Sequence, residues 1–356
     1  MSSSEATPRQ TLRIIDANLN RIGEGLRLLE DLARLMLNDA TLTQQLKTMR
    51  HEILKGDWSP QKQLLQARDS TGDIGINLEV PGEEKQRELP LVVVANSRRV
   101  QESLRVLEEL AKVPGTMPEL DSEKFKQARF RLYTIEQALL SKLLRQDKIK
   151  RLSGLYAIID TQALKRRSHI EVAEQTISGG AKIIQLRDKL QNKKELLPVA
   201  QQLRNLCAER NVLFIVNDYL DLTLAVDADG LHLGQDDLPI KIARKLLPID
   251  KILGCSVNTA EQAIAAQSDG ADYIAVGSIY PSKSKETAKV VGLEVLRRTR
   301  KAVTLPLVAI GGINKDNTGE VIAAGAASVA VINAIMNAED IKEAAQQIAA
   351  QFEAQK

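Results

Sequence analysis

The sequence is poor in the residues that mark several classes of protein. It has two cysteines, Cys207 and Cys255, and no CxxC pair, so a disulfide framework is not expected and a reducing compartment is favoured. Aromatic residues make up only 3%, so the core must consist of Leu, Ile, Val and Ala. No apolar run approaches the ~20 residues that span a bilayer, and the polar start MSSSEATPRQ lacks the apolar segment of a signal peptide. We therefore expect a cytoplasmic protein without a membrane partner.

Charge of one sign is also missing. The 49 basic and 46 acidic residues leave a formal net charge of +3. This balance argues against a nucleic-acid partner, which usually needs a strongly basic surface. A phosphorylated small molecule needs only local positive charge, and the sequence permits such a substrate.

The length and a change of pattern near residue 150 predict two domains. A chain of 356 residues suits two domains better than one. Long helical periodicities dominate the first part, and short β-branched runs alternate with helical stretches in the second. We predict a mainly helical domain over residues 1–146 and an α/β domain over 147–356, with the charged segment Leu144–Arg151 as the linker.

The first domain contains an internal repeat. ANLNRIGEGLRLLEDLAR begins at Ala17 and ANSRRVQESLRVLEELAK begins at Ala95, 78 residues later. In the first copy Ile22, Leu26 and Leu29 fall on one helical stripe. The repeat predicts two related helices, packed about a pseudo-twofold axis.

The second domain reads as eight strands separated by helices. Its runs are GLYAIID from Gly154, KIIQLR from Lys182, LFIVND from Leu213, GLHLGQ from Gly230, ILGCSV from Ile252, YIAVGSI from Tyr273, PLVAIGGI from Pro306 and SVAVIN from Ser328. Continuous apolar strands are buried on both faces, as in a parallel sheet covered by helices. Eight such units predict a (β/α)8 TIM barrel. A doubly wound open sheet is the alternative, and it usually has fewer strands.

Active sites of such barrels lie at the C-terminal ends of the strands. The second strand ends in Gln185, Leu186, Arg187, Asp188 and Lys189, which predicts an anion site. The third and fourth strands bring Asp218 and Asp237, and two carboxylates without clustered Cys or His suit Mg2+. The alternative is that Asp236 or Asp237 caps the helix that follows. We interpret His232 as structural, or as a hydrogen-bond donor, rather than as a metal ligand.

The remaining strand ends supply hydroxyl groups, cations and glycines. Ser256 ends the fifth strand and can donate to a phosphate or a polar ring, whereas we expect Cys255 only to pack. A long loop after the sixth strand carries Ser282, Lys283, Ser284 and Lys285, a pattern typical of loops that close over a ligand. Gly311 and Gly312 end the seventh strand and Ile332 and Asn333 the eighth, the usual phosphate site of this fold. Two anion sites facing one cavity predict two phosphorylated substrates or one bisphosphate.

Together these segments resemble the thiamine-phosphate synthase family over about Gly154 to Ala350. The segments that carry the resemblance are QLRDK, NDYLDLTLAVDADGLHLGQDD, GCS, GADYIAVGSIYPSKSK and AIGGI. The resemblance implies condensation of a hydroxymethylpyrimidine diphosphate with a thiazole phosphate, or its carboxylated form, to give thiamine phosphate and pyrophosphate. It also implies Mg2+ as cofactor and small phosphorylated molecules as the partners. The sequence leaves the oligomeric state open and allows a homo-oligomer.

The resemblance assigns roles residue by residue. It implies that Asp218 and Asp237 bind Mg2+, and that the pyrimidine diphosphate is held by Gln185, Arg187, Lys189, Asn217, Ser256 and Lys285. Of these, we single out Arg187, Lys189, Lys285 and Ser256 as catalytic. Leu186, Asp188 and Lys283 are included as further substrate contacts. Ser282 and Ser284 stand where the family usually has threonine, beside the thiazole, and Gly311, Gly312, Ile332 and Asn333 hold its phosphate. Asn333 departs from the family's usual serine, so only its backbone role carries over.

The first domain resembles a helical domain that is fused to this synthase in some bacteria and linked to phosphorylation of hydroxymethylpyrimidine phosphate. The candidate residues are the repeated pairs Asn18 and Asn96, Arg21 and Arg99, Glu24 and Glu102, Arg27 and Arg105, and the stretch Arg68, Asp69, Ser70, Thr71, Gly72 and Asp73. A solvated helix face explains the repeated charges equally well. No GxxxxGK[ST] loop is present, which excludes a P-loop kinase. An oligomerisation module is the non-enzymatic alternative.

Two rival functions remain for the barrel. Another phosphate-binding barrel enzyme, an isomerase or an aldolase, predicts a catalytic Lys inside a strand or a lone acidic base. A non-catalytic regulator that binds thiazole ligands predicts loss of one paired aspartate or of QLRDK, and all of these residues are present.

Overall fold

The computed structural model describes residues 7–55, 58–69, 72–73, 88–117, 120–165, 167–282 and 289–354. The chain divides into two compact units, Met1–Leu144 and Arg145–Lys356. Each unit has its own hydrophobic core. Among the described residues, no helix combines the length and the apolar character needed to cross a bilayer.

The first unit is helical, as the sequence predicts. Its elements are α1 Arg9–Asp31, continued by a π-helical turn at Leu32–Met36, then α2 Ala40–Leu54, α3 Trp58–Ala67, α4 Leu89–Leu110 and α5 Ser122–Lys150. The helix α2 begins where Asp39 accepts a hydrogen bond from the Leu42 N–H at 2.9 Å, a typical N-cap.

The internal repeat corresponds to α1 and α4, whose apolar stripes pack against each other. Ile22, Leu26 and Leu29 are fully buried, and so are their repeat partners in α4. At the contact, a Cβ added to Gly25 would lie 2.4 Å from Val100 Cγ2. The two related helices predicted from the repeat are therefore present, and a glycine allows them to approach closely.

The segment Leu144–Arg151, predicted as a linker, is mostly helix. The boundary between the units falls inside α5, which continues to Lys150. Its charged residues are the reason that the sequence predicts a linker, but they form ion pairs within the second unit. Arg145 Nε lies 2.9 Å from Asp272 Oδ1, and Lys148 Nζ lies 3.5 Å from Asp250 Oδ2. Ion pairing explains why a charged segment is ordered here.

The second unit is a closed barrel of eight parallel strands, as predicted. The strands are β1 Gly154–Asp160, β2 Ile183–Arg187, β3 Leu213–Asn217, β4 Gly230–Leu233, β5 Ile252–Val257, β6 Tyr273–Val276, β7 Leu307–Ile310 and β8 Ser328–Val331. Each strand pairs with the next, and β8 closes on β1 with Gly154 opposite Ser328. Closure excludes the open-sheet alternative.

Helices follow the strands and cover the outside of the barrel. They are α6 His169–Ser178, α7 Lys193–Glu209, α8 Leu220–Ala225, α9 Ile240–Leu246, α10 Ala260–Ser268, α11 Gly292–Ala302, α12 Thr318–Ala323, α13 Asn333–Met336 and α14 Ile341–Glu353. Ser168, Asn192 and Thr259 cap three of them with side-chain oxygens.

Strand alternation divides the core of the barrel into two layers. Leu155, Ala157 and Ile159 of β1 pack outward against the helices, whereas Tyr156 and Ile158 point into the barrel. All eight strands run in the same direction, so their C-terminal ends meet at one end of the barrel. That end carries the residues singled out in the sequence.

Candidate active site

A cavity of about 540 Å³ opens at the C-terminal end of the barrel. Twelve of the residues predicted from the sequence line it: Gln185, Arg187, Lys189, Asn217, Asp218, Asp237, Ser256, Ser282, Gly311, Gly312, Ile332 and Asn333. Lys283, Ser284 and Lys285 lie outside the described residues. Strand ends that are far apart in sequence thus converge on one site.

Leu186 and Asp188, predicted as substrate contacts, are the exceptions. The Leu186 side chain is buried in the layer between strands and helices. Asp188 is also buried, and its carboxylate accepts hydrogen bonds from the Leu190 and Gln191 N–H groups at 2.6 and 2.8 Å. Alternate residues of a strand face opposite sides, so Gln185 and Arg187 of β2 point inward with Ile183, whereas Leu186 points outward. The expectation is corrected for these two side chains: Leu186 packs, and Asp188 holds the loop after β2.

The paired aspartates lie in contact. Asp218 follows β3 in the left-handed region, with φ of 63°, a conformation that Asp tolerates better than most residues. Its N–H donates to the His232 carbonyl at 2.9 Å, which ties the turn to β4. The Asp218 and Asp237 carboxyl groups are hydrogen-bonded to each other, and Lys189 Nζ donates to Asp218 Oδ2.

The close contact shifts the two carboxyl pKa values in opposite directions. Burial raises the pKa of Asp218, and the neighbouring Asp237 carboxyl adds to the increase. Burial also acts to raise the pKa of Asp237, but hydrogen bonds from Asp218 and from the Gly234 N–H outweigh it and lower that pKa. Two neighbouring carboxylates repel each other when both are ionised, so the pair needs a shared proton or a cation.

A hard divalent cation fits this pair. The donors are carboxylate oxygens, which Mg2+ prefers, and Mg2+ is commonly bound by one or two carboxylates together with substrate phosphates. Across the described residues, no group of three or more His, Cys, Asp and Glu side chains is arranged to hold a metal. An ion at Asp218 and Asp237 would therefore complete its coordination with water or substrate oxygens.

The helix-capping alternative for Asp236 and Asp237 is wrong. The helix α9 begins at Ile240 after Pro239, and no side chain caps it. Asp237 instead accepts a hydrogen bond from the Gly234 N–H at 2.7 Å, three residues earlier in its own loop. This bond closes the turn after β4 and holds the Asp237 carboxylate beside Asp218.

The basic side chain at the end of β2 is held by an acid on the neighbouring strand. Arg187 pairs with Asp160, the buried last residue of β1. Asp160 also accepts a hydrogen bond from the Gln162 N–H at 3.0 Å. Sequence reasoning did not single out Asp160, although its place at the end of a strand run was the available signal. The pairing orients a guanidinium at the edge of the cavity.

Two glycines shape the other side of the cavity. Gly311 and Gly312 have φ of 100° and 65°. A Cβ on Gly311 would lie 2.0 Å from Ser278 Oγ, and one on Gly312 would lie 2.6 Å from the Pro281 carbonyl oxygen. Both positions therefore require glycine for backbone conformation and for space. Asn317, not found from the sequence, donates to the Gly312 carbonyl at 3.0 Å and braces this loop.

Two buried tyrosines were also missed. Tyr156 and Tyr273 cross the inside of the barrel, and their hydroxyl oxygens are 3.0 Å apart. A Cβ on Gly254 would lie 2.0 Å from the Tyr273 ring, so this glycine provides the space for it. His232 is 7% exposed and has no carboxylate hydrogen-bond partner among the described residues, and burial lowers its pKa to about 4. Both ring nitrogens thus have partners inside the barrel, and the interpretation of His232 as structural or as a hydrogen-bond donor stays a prediction.

The strand composition bears on the rival barrel enzymes. In the eight described strands there is no lysine, so a Schiff-base aldolase has no residue of the predicted kind. Cys207 and Cys255 are buried and unpaired, and burial raises the pKa of the Cys255 thiol to about 11. These features favour chemistry by positioning and charge over covalent catalysis.

In the first unit, the repeated candidates are mostly exposed or bonded within their own helices. Arg21, Arg99, Glu24, Glu102, Arg27 and Arg105 are exposed, which agrees with a solvated helix face. Asn18 and Asn96 each donate to the carbonyl four residues earlier, at 2.8 Å. Arg68 instead makes a two-point contact with the buried Asp16, at 2.6 and 3.0 Å. Ser70 and Thr71 lie outside the described residues.

Comparison with known proteins agrees with this geometry. Residues 155–335 match a family model described as thiamine monophosphate synthase. A thiamine-phosphate synthase from Nostoc punctiforme is 40% identical over 95% of this chain and 93% of that protein. One from Synechocystis is 40% identical over 98% of both. The chain belongs to the thiamine monophosphate synthase family.

Two shorter proteins match only part of this chain, and a second family model matches the helical unit. A thiamine-phosphate synthase from Methanospirillum hungatei is 50% identical over 55% of this chain and 96% of that protein. The structure of thiamine phosphate pyrophosphorylase from Pyrococcus furiosus covers 60% of this chain and 98% of its own, with 40% identity and a TM-score of 0.53. Residues 13–138 match a model described as the ThiD2 family.

Proposed function

We propose that the second unit of this thiamine monophosphate synthase family member condenses hydroxymethylpyrimidine diphosphate with a thiazole phosphate, or its carboxylated form, to give thiamine phosphate and pyrophosphate, with release of carbon dioxide when the carboxylated form reacts. The observation that carries the proposal is the single cavity that combines a carboxylate pair, two cations and a glycine loop. One side suits a diphosphate and the other a monophosphate. The names of the full-length relatives support the same reaction.

The residues around the cavity divide between the two substrates. On the pyrimidine side, Gln185, Asn217 and Ser256 offer polar groups, and Arg187 and Lys189 offer positive charge. We assign Lys285 to the same diphosphate from the resemblance. From the resemblance we also assign Ser282 and Ser284 to the thiazole ring, together with Lys283, which stands between them in the sequence. The backbone of Gly311, Gly312, Ile332 and Asn333 holds the phosphate.

Asp218 and Asp237 would hold Mg2+, which supplies positive charge for the oxygens of the departing diphosphate. The Lys189 ammonium group already contacts Asp218. We propose that it exchanges this carboxylate for a diphosphate oxygen when the substrate binds. Arg187, oriented by Asp160, provides a fixed pair of donors for the same oxygens. The acidic pair and the two cations thus act on one leaving group.

The reaction needs no enzymatic nucleophile. The bond between the methylene carbon and the diphosphate oxygen breaks, and its electron pair leaves with pyrophosphate. The lone pair of the thiazole nitrogen then forms the new carbon–nitrogen bond. The cavity contributes by holding the nitrogen opposite the departing oxygen and by stabilising the negative charge of pyrophosphate.

The deciding experiment is an assay of the purified chain with both substrates, with and without Mg2+. We expect thiamine phosphate and pyrophosphate in equal amounts, and little product without the metal. Absence of both products in the presence of Mg2+ would refute the synthase. Product formation at the same rate with and without the metal would refute only the Mg2+-binding role of Asp218 and Asp237, and the synthase activity would stand.

For the first unit we propose phosphorylation of hydroxymethylpyrimidine phosphate, which would make the diphosphate that the barrel consumes. The support is the match of residues 13–138 to the ThiD2 family and the resemblance of the helical repeat. Shorter relatives with the synthase name match 55% of this chain, so the helical unit adds something beyond that name. Residues 1–146 and 147–356 are accordingly proposed as two functional domains.

A further inference from the structure

Five side chains form a continuous hydrogen-bonded chain through the inside of the barrel. Gln185 Nε2 donates to the Tyr156 hydroxyl at 2.9 Å, and the Tyr156 and Tyr273 hydroxyls are 3.0 Å apart. Tyr273 Oη lies 3.0 Å from His232 Nδ1, and His232 Nε2 lies 2.8 Å from Ser256 Oγ. All five residues line the cavity, with Gln185 and Ser256 at the two ends of the chain and the other three between them.

With Gln185 Nε2 as the donor to Tyr156, counting protons gives the direction of each further bond in this chain. Each phenol has one O–H to donate. The Tyr156 oxygen accepts from Gln185, so its own proton is left for Tyr273. The Tyr273 oxygen accepts that proton, so its O–H is left for His232 Nδ1, which must be the unprotonated nitrogen. A neutral ring with a bare Nδ1 carries its proton on Nε2 and donates it to Ser256.

The consequence appears at the two ends. Ser256 Oγ accepts from His232, so its hydroxyl proton is free to point into the cavity. At the other end, one N–H of the Gln185 amide is occupied by Tyr156. Its carbonyl oxygen and second N–H remain for the cavity. The chain therefore presents a donor at Ser256 and an acceptor beside a donor at Gln185.

We propose that Tyr156, Tyr273 and His232 are positioning residues that set the hydrogen-bond polarity of the pyrimidine site. They act through Gln185 and Ser256 and do not need to touch the reacting atoms. An aminopyrimidine has an amino donor next to ring-nitrogen acceptors, which complements the Gln185 amide in this orientation. The choice of ligand rests on the proposed synthase function, whereas the polarity itself rests on geometry alone.

Burial makes the polarity hard to reverse. Tyr156, Tyr273 and Gln185 are each at most 2% exposed, so water does not compete for their protons. Turning one hydroxyl round would leave two protons facing each other in a buried site, and every other bond would have to turn with it. The donor pattern at the two ends is thus set by one linked arrangement.

The direct test is the tautomer of His232, read from imidazole 15N chemical shifts in the full, metal-free chain. The sequence has 3 histidines, so single substitutions assign the signals. We expect His232 to be neutral with its proton on Nε2 at pH 7.5. A proton on Nδ1, or on both nitrogens, would overturn the proposal. This readout needs no substrate, so it stands or falls separately from the synthase activity.

The second test breaks the chain at one hydroxyl. Tyr273→Phe removes the donor to His232 Nδ1, and we expect a mixture of tautomers and a fall in kcat/KM for the pyrimidine diphosphate of about tenfold. The KM for the thiazole phosphate should not change. Tyr156→Phe interrupts the chain one step earlier and serves if Tyr273→Phe fails to fold.

Tyr219→Phe is the matched control, because the Tyr219 hydroxyl donates to the Asp188 carbonyl outside the chain. We expect it to keep the wild-type tautomer and kinetics. If Tyr273→Phe and Tyr156→Phe match Tyr219→Phe in both readouts, the three residues are only structural. If the wild-type chain makes no thiamine phosphate, the proposed function fails while the tautomer still decides the polarity.

Discussion

At the scale of single residues, Asp218 combines several features that each destabilise an ionised aspartate or its backbone. It is partly buried, has a left-handed backbone and contacts both another carboxyl group and an ammonium group. Such a residue is costly to the fold, and strain and perturbed ionisation of this kind concentrate at functional sites. The proposed metal role gives a reason for an acid at this position.

Replacing Asp218 with Ala should lower turnover by about 100-fold or more at saturating Mg2+, since charge stabilisation of the leaving group is lost. The measurement is the rate of thiamine phosphate formation across a Mg2+ titration. Asp221→Ala is the control, because Asp221 is an exposed partner of Lys193 and should leave the rate unchanged. Near-normal turnover of the Asp218 variant would rule out its metal role.

His232 should make the barrel less stable in acid. The ordinary His pKa of about 6.5 applies to the unfolded chain, and burial lowers it to about 4 in the fold. Below pH 6.5 the unfolded state therefore binds a proton that the folded state excludes. The stabilisation is complete above that pH and is lost as the pH falls towards 4, by about 2 kcal/mol between pH 7 and pH 5.

Urea unfolding of the metal-free barrel at pH 7 and pH 5 measures this contribution. His232→Gln should show a smaller loss of unfolding free energy between the two pH values than the wild type. His51→Gln, on the exposed face of α2, should keep the wild-type dependence. Identical pH dependence in all three chains would contradict a buried neutral His232.

At the scale of elements, the loops after the strands decide what the barrel binds. Two of them are shaped by close backbone approach: the turn after β4, closed by Asp237 and Gly234, and the loop after β7, formed by Gly311 and Gly312. The strands below fix where these loops begin. Loop geometry, more than strand composition, thus separates the acidic side of the cavity from the glycine side that we propose binds the phosphate.

Gly312→Ala should raise the KM for the thiazole phosphate by about tenfold, because a strained left-handed Ala costs roughly 1–3 kcal/mol and the new Cβ displaces the loop. The KM for the pyrimidine diphosphate should stay near the wild-type value. Gly292→Ala is the matched control, since Gly292 has φ of 74° with nothing within 4 Å of an added Cβ. Equal kinetics in the two variants would argue against a phosphate site at Gly312.

At the scale of the whole molecule, the chain joins two compact units that match two family models. The proposed activities are consecutive, since the product of the first is a substrate of the second. A fusion keeps their amounts equal in the cell. The helix α5 contributes residues to both units, so the connection is itself helical.

The full chain carrying Asp218→Ala should convert hydroxymethylpyrimidine phosphate and ATP into the diphosphate, which then accumulates because the barrel no longer consumes it. Chromatography of the pyrimidine phosphates measures the product. The wild-type chain, given thiazole phosphate as well, should pass directly to thiamine phosphate. Failure of both chains to consume ATP would exclude the kinase and favour the oligomerisation alternative.

That alternative would then be tested by light scattering, which measures the oligomeric state, on the wild-type chain and on a variant in which the exposed Phe130 is replaced.

The sequence alone determined the fold class and the set of strand ends at the cavity. Periodicity is local, so eight buried runs with helices between them specify a parallel barrel. Parallel direction then places every strand end at the same side. The sequence therefore suffices to assign Arg187, Asp218 and Gly312 to one cavity.

Only the tertiary structure decided which polar groups face each other. Tyr156 and Tyr273 are 117 residues apart, and no local pattern reports a hydrogen bond over that separation. Three local features also differ from the expectation, because the sequence allowed more than one partner or conformation at each: Asp237 closes its own turn, Asp188 turns away from the cavity, and α5 continues through the expected linker. Secondary structure follows from short-range periodicity, whereas the direction and partner of a buried proton depend on contacts that exist only after the chain has folded.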